Sequence, residues 1–173
     1  MRKLREVPPP RGIARLLYRL PIALHRLGLG RLLGARFLLL EHRGRRSGAL
    51  RRAVLEVVRH ERGTWWVVSA WGARAEWLRN LRAAPHARIE TAGRTLPVEA
   101  HEVSGAEAEE VLLAYGRRHP RAIRSLARLL GWQLDGSEGD LRALASVVRV
   151  VELRSAEAPA PGGTPAVRTS PGS

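Results

Sequence analysis

The chain lacks cysteine altogether and holds one methionine, one phenylalanine and, in Lys3, one lysine. Without cysteine there are no disulfides, thiolate zinc sites, iron–sulfur clusters or cysteine nucleophiles. Aromatic residues make up 5% of the chain, too few for a stacking row along single-stranded nucleic acid. Acids are scarce: sixteen Asp and Glu face thirty Lys and Arg, a net charge of +14. No run approaches the roughly 18 uninterrupted apolar residues of a membrane span. The six histidines (25, 42, 60, 86, 101, 119) show no metal-ligand spacing, so no metal is expected. Ser47 and Ser69 lack a nucleophile elbow, and Glu109-Glu110 reads as part of a solvated helix face. An enzyme built this way takes its chemistry from a cofactor.

What remains is enough for one compact domain: 173 residues, 45% of them hydrophobic. The basic excess is concentrated early, with nine basic residues and one acid in residues 1–36. Such crowding fits an anionic partner, whether phosphate, nucleic acid or lipid. An arginine bias that leaves most side chains solvated fits it as well. No basic–apolar–small leader opens the chain, and a cytoplasmic location is the expectation.

Three regions follow. Residues 1–36 hold a Pro8-Pro9-Pro10 leader and a basic amphipathic helix over 13–33, interrupted at Pro21. That helix either covers a core or lies on an anionic membrane surface. Residues 37–154 carry strands at 37–40, 53–58, 64–69, 87–91, 95–103 and 147–153. Helices are expected at 74–84, 105–118, 120–130 and 137–145, the second opened by a capping box at Ser104-x-x-Glu107. Residues 155–173, rich in Pro, Gly, Ala and Ser, are expected to be disordered. Consecutive strands with short turns give an α+β domain, an antiparallel sheet or small barrel with helices outside. A doubly wound sheet needs helices between successive strands, which residues 37–69 lack.

Two stretches carry chemistry. The first, Gly44-Arg45-Arg46-Ser47-Gly48-Ala49-Leu50-Arg51-Arg52, lies between two strands. Its glycines permit a tight turn whose N–H groups form an anion nest, and its arginines offer bidentate donors for phosphate or carboxylate. It lacks the Gly-Lys-Ser/Thr of a P-loop, and a plain solvated hairpin turn accounts for the same composition. The second is Ser69-Ala70-Trp71-Gly72 followed by Trp77-Leu78-Arg79-Asn80-Leu81. Here a strand end and a helix start offer an aromatic wall with a few polar groups, suited to a flat heterocycle. Trp77 alone reads rather as core; Trp71 is the better wall.

Taken together, Gly44-Arg45-Arg46-Ser47-Gly48-x-x-Arg51, Trp66–Gly72 and Trp77–Leu81 with Pro85 resemble the deazaflavin-dependent nitroreductase family. These are F420H2-dependent oxidoreductases and quinone reductases with a split β-barrel fold of about six antiparallel strands. The resemblance covers about 32–153. It implies coenzyme F420, with FMN the alternative that other split barrels use. Arg45, Arg46, Ser47, Gly48 and Arg51 match the positions that hold phosphate and the acidic oligoglutamate tail. Arg52, Ala53 and Val54 would run along the cofactor. Val68, Ser69, Ala70 and Trp71, with Trp77, Leu78, Arg79 and Asn80, would flank the ring. Trp71 stands where some members carry lysine, and His119-Pro120 where nitroimidazole reducers carry Tyr-Pro. Nitroimidazole activation is therefore not expected, and His119 and Tyr115 are the proton donors in reach. The partner implied is a small-molecule acceptor (quinone, enone or nitro compound), with membrane contact through residues 13–33 if that acceptor is lipid-borne. A non-enzymatic basic protein on nucleic acid or lipid is the competing reading, nucleic acid being the less favoured.

Overall fold

A computed structural model describes residues 2–3, 36–129 and 131–156. The helix expected over 13–33 and the tail from 157 onward lie outside these residues. Eight strands are present among them: β1 (Arg2–Lys3), β2 (Phe37–Arg43), β3 (Leu50–Glu61), β4 (Thr64–Ser69), β5 (His86–Thr91), β6 (Arg94–Val103), β7 (Trp132–Gln133) and β8 (Arg149–Ser155). The four helices are α1 (Glu76–Ala83), α2 (Gly105–Arg118), α3 (Pro120–Leu129) and α4 (Glu138–Val147).

Six strands close into an antiparallel barrel in the order β2-β3-β4-β8-β6-β5, with β5 returning to β2. β1 and β7 form a separate two-residue ribbon that the sequence did not suggest. The β3–β4 and β5–β6 hairpins each turn on two residues of positive φ, Arg62 (43°) with Gly63 (79°) and Ala92 (48°) with Gly93 (77°). Such type I′ turns match the twist of the flanking strands. They also fix register: Glu61 faces Thr64, and Thr91 faces Arg94.

Alternation along each strand divides the apolar residues between two cores. Leu38, Leu40, Leu55, Trp65, Val67, Ile89, Val151 and Leu153 fill the barrel, and Leu78 and Leu81 of α1 join them. Trp66 and Val150 point outward from β4 and β8, against Val111, Leu112, Tyr115, Ile123, Leu141 and Leu144 of the helices. Leu40, Leu112, Leu144 and Leu153 are fully buried, each contributing about 1.5–3 kcal/mol over an exposed position. Burial on both sides explains the unbroken apolar run Trp65–Val68 of β4.

Four local expectations need correction. β3 begins at Leu50 and ends at Glu61, well beyond 53–58, because the β2 pairing runs from Phe37↔Glu56 to Arg43↔Leu50. The last strand starts at Arg149, since α4 continues through Val147 despite its β-branched residues. Burial of Leu144 and Val148 against the other helices outweighs strand propensity there. That strand also includes Ser155, whose N–H donates to Gly63 O at 2.9 Å, so the tail begins later than expected. Ser104 does precede α2, but its side chain makes no capping bond. Gly105 has φ 62°, so the Ser104-to-Glu107 spacing does not run through helical backbone. The cap that does form is at α4, where Ser137 Oγ accepts from Asp140 N.

Candidate anion and cofactor site

The loop Gly44–Ala49 joins β2 to β3 and is closed by its own backbone. Gly44 N donates to Ala49 O at 2.9 Å and Gly48 N to Gly44 O at 2.7 Å. Gly48 takes φ 63°, a conformation that costs a side-chain-bearing residue about 1 kcal/mol or more. Ala49 N reaches Ser47 Oγ at 3.4 Å, and Arg45 N donates to Asn80 Oδ1 at 3.1 Å. Two consecutive N–H groups, those of Arg46 and Ser47, have no partner among the described residues. They sit on an exposed turn, the arrangement of a backbone anion nest.

The second stretch folds onto the same end of the barrel. Because Val57 pairs with Val67, the end of β4 lies beside the first half of β3. Ser69 is wholly buried and its hydroxyl donates to Gly72 O at 2.8 Å, fixing the turn into a short 3-10 segment and α1. Gly72 has φ 53°, and a Cβ there would lie 2.9 Å from Val147 O. Trp71 and Trp77 are half-buried and pack on the barrel core. Val68 and Ala70 point the other way, into the helix-side core. Leu78 is core, so its side chain supports the site from behind. On β3, Ala53 turns into the barrel beside Leu40.

The arginines divide by what they touch. Arg45 Nη1 binds Glu76 Oε2 at 2.7 Å and Asn80 Oδ1 at 3.1 Å. That hydrogen bond holds the Glu76 carboxyl below its ordinary pKa, against a smaller burial effect. Arg52 is paired with Glu41 at 2.6 Å, and Arg79 bonds Ala73 O and Glu76. Arg46 and Arg51 have no ion pair among the described residues. Of the five arginines singled out, these two are the ones without an ion pair there.

Asn80 is 6% exposed and does not face outward as a free donor. Its Oδ1 receives Arg45, and its Nδ2 lies 3.3 Å from His42 Nδ1. His42, a residue the sequence did not single out, is 4% exposed on an inward position of β2. Burial is the main cause that lowers its pKa, opposed by a backbone hydrogen bond at Arg43 and assisted by the charge of Arg51.

Tyr115 and His119 stand elsewhere. Tyr115 Oη donates to Glu56 Oε1 at 2.5 Å, and Arg36 holds the same oxygen through Nε at 2.9 Å and Nη2 at 2.8 Å. Burial first, then the bond to Glu56, raises the Tyr115 pKa, making it a weaker acid than an ordinary tyrosine. The Tyr115 and His119 rings are 5.0 Å apart at 44°, His119 being exposed at the end of α2. Glu56 lies five residues along β3 from Arg51, roughly 17 Å at the strand rise. The structure therefore brings 44–52 and 69–80 together and leaves Tyr115 on the outer wall. Glu56 was missed; its trace in the sequence is an acid set among apolar residues, between Leu55 and Val57 of β3.

With this geometry in hand, kinship can be stated. The sequence profile of the F420H(2)-dependent quinone reductase family matches residues 24–122. The chain belongs to that family. The matched region spans the loop, the barrel strands β2 to β6, and both Tyr115 and His119. No curated protein matches the chain. Among solved structures it is similar to Atu2129 of Agrobacterium tumefaciens strain C58, a protein of unknown function. The two are 17% identical with TM-score 0.51, covering 87% of this chain and 58% of that one. It is also similar to an F420-H2 dependent reductase, FDR-A, at 20% identity and TM-score 0.48, covering 69% and 94%. The heme storage protein HutZ of Vibrio cholerae gives 15% identity and TM-score 0.48, covering 76% and 88%. The fold is the split-barrel type expected from the family's motifs. Family membership favours F420 and lends no support to FMN.

Among the described residues no helix is long and apolar enough to cross a membrane. The proposed membrane contact through 13–33 falls outside them.

Proposed function

We propose that this protein is an F420H2-dependent reductase whose β2–β3 loop holds the acidic part of the deazaflavin cofactor. One observation carries the reading: among the described residues the adjacent N–H groups of Arg46 and Ser47 have no partner, and neither the Arg46 nor the Arg51 guanidinium has an ion pair. Fixed N–H donors and bidentate cations at one point match phosphate and carboxylate oxygens. An extended polyanion uses both parts of such a site, and a lone phosphate needs only the nest.

When bound, the reduced deazaflavin supplies a hydride. The chain's own residues supply the rest. Arg46 and Arg51 neutralise the cofactor's anionic arm, and Arg45, tied to Glu76 and Asn80, keeps the loop in shape. Trp71 and Trp77 offer apolar surface at the same barrel end, where water is displaced from a flat ligand. Reduction of a quinone, enone or nitro acceptor also consumes a proton. Neither of the two donors is brought to that end: the Tyr115 proton is committed to Glu56 and its pKa is raised, and His119 packs beside Tyr115 on the outer wall. The acceptor class we favour is a quinone, on the strength of the family's activity.

Fluorescence titration with F420 and, separately, FMN in moderate salt tests the reading. Saturable binding of F420 in preference to FMN is the expected result. Equal binding of both, lost together as salt is raised, would place the protein among non-specific polyanion binders.

A further inference from the structure

The bonding at Asn80 leaves no choice of orientation. Its Oδ1 accepts from two groups that can only donate, the Arg45 N–H and the Arg45 guanidinium, both at 3.1 Å. The amide nitrogen therefore faces His42, and an amide NH2 can only donate. The 3.3 Å contact to His42 Nδ1 then requires a lone pair on that nitrogen. The imidazole must be neutral, with its single proton on Nε2.

We propose that His42 is a positioning residue: its unprotonated Nδ1 holds Asn80, Asn80 holds Arg45, and the chain of bonds keeps the β2–β3 loop in its anion-binding shape. His42 touches no ligand in this scheme. The inference rests on the reading of the loop as the cofactor's anion site.

The surroundings of His42 favour this state. Arg51 stands opposite it on β3, and Arg45 from the loop is bound to the same asparagine. α1 contributes Asn80 and, at the rim, the Glu76 carboxylate, which is already spent on Arg45. The β2–β5 pairing Glu41↔Arg88, carried one residue further, sets uncharged Ala87 beside it. Two cations and one committed anion disfavour an added proton. Protonation removes the acceptor, so Asn80 and then Arg45 come loose. Because the folded-state pKa lies below the ordinary value, the change sets in only in more acid solution than an ordinary histidine needs and is absent at neutral pH.

The test uses the full chain in three forms: wild type, His42→Asn and His42→Leu. Asparagine places an acceptor oxygen close to the Nδ1 position and does not titrate, whereas leucine offers no acceptor. Nitrogen NMR of histidine-labelled wild type should show Nε2–H and bare Nδ1 at pH 7. Hydrogen exchange should show the Arg45 amide protected in wild type and His42→Asn, and exchanging roughly ten times faster in His42→Leu, the loss of about one hydrogen bond. F420 affinity should follow the same order. It should weaken in acid for wild type beyond any loss seen in His42→Asn. An Nδ1–H tautomer, equal Arg45 exchange in wild type and His42→Leu, or equal acid dependence in wild type and His42→Asn overturns the proposal, and the tautomer and acid-dependence outcomes stand even if His42→Leu does not fold. If F420 fails to bind wild type while Arg45 exchange still tracks His42, the cofactor reading fails and the positioning role survives.

Discussion

The loop end of the barrel and its outer wall treat the same residue type in opposite ways. On the outer wall two arginines beside β3 are spent. Arg36 is tied to Glu56, and Arg59 to Glu61 at 2.8 Å and Glu110 at 3.5 Å, with its guanidinium over the Trp66 ring. At the loop, Arg45 and Arg52 are spent likewise, but Arg46 and Arg51 have no ion pair among the described residues. Exposed ion pairs contribute little stability, commonly 0.2–1 kcal/mol, so the outer pairs mainly silence charge. The difference teaches that the chain's +14 says little by itself, and that each arginine has to be read with its partners.

Reversing both loop charges, Arg46→Glu with Arg51→Glu, should break the contrast most severely. We expect F420 affinity to fall at least a hundredfold, about 3 kcal/mol, as measured by fluorescence titration. The melting temperature should hold, because neither side chain packs in a core. A large drop in melting temperature would show that these arginines serve the fold.

The outer wall should respond in the opposite sense. Tyr115→Phe removes a buried hydrogen bond to a carboxylate, worth about 1.5–3 kcal/mol, and denaturant unfolding should show that loss with F420 affinity unchanged. The pH dependence follows in sign. A tyrosine whose folded pKa is raised above its unfolded value of 10.0 keeps its contribution below that pH and loses it as pH rises above. Wild type should therefore lose stability above pH 10 relative to Tyr115→Phe; parallel profiles would mean that the hydroxyl is not held as described.

The smallest effect concerns Ser47. Its hydroxyl makes one 3.4 Å bond within the loop, so Ser47→Ala should change stability by less than about 0.5 kcal/mol. A larger loss confined to F420 binding would assign the hydroxyl to the ligand.

Much of this was legible in the residues, and the illegible part has a common cause. Valine-rich alternation and two-residue turns marked the barrel strands, since period and turn chemistry are local. The β2–β3 turn was legible for the same reason: glycines, arginines and a serine in one short stretch. Which arginines are neutralised was not legible, because Arg45 meets Glu76 31 residues away and Tyr115 meets Glu56 59 residues away. Asn80 was visible as a site residue, but its partner His42, 38 residues away, looked like an ordinary strand-end histidine. The failed cap at Ser104 and the made cap at Ser137 differ by one glycine conformation, which the S-x-x-E pattern does not encode.

The central claim is that position, and not total charge, makes the loop an anion site. Arg46→Ala and Arg118→Ala remove the same charge from the same chain, one beside the free N–H groups and one at the exposed end of α2. F420 titrations of the two variants at matched salt test the claim directly. The account predicts a ten- to hundredfold loss for Arg46→Ala, the 1.5–3 kcal/mol of a charge-assisted contact, and a change within about twofold for Arg118→Ala. Equal losses in the two variants would contradict it.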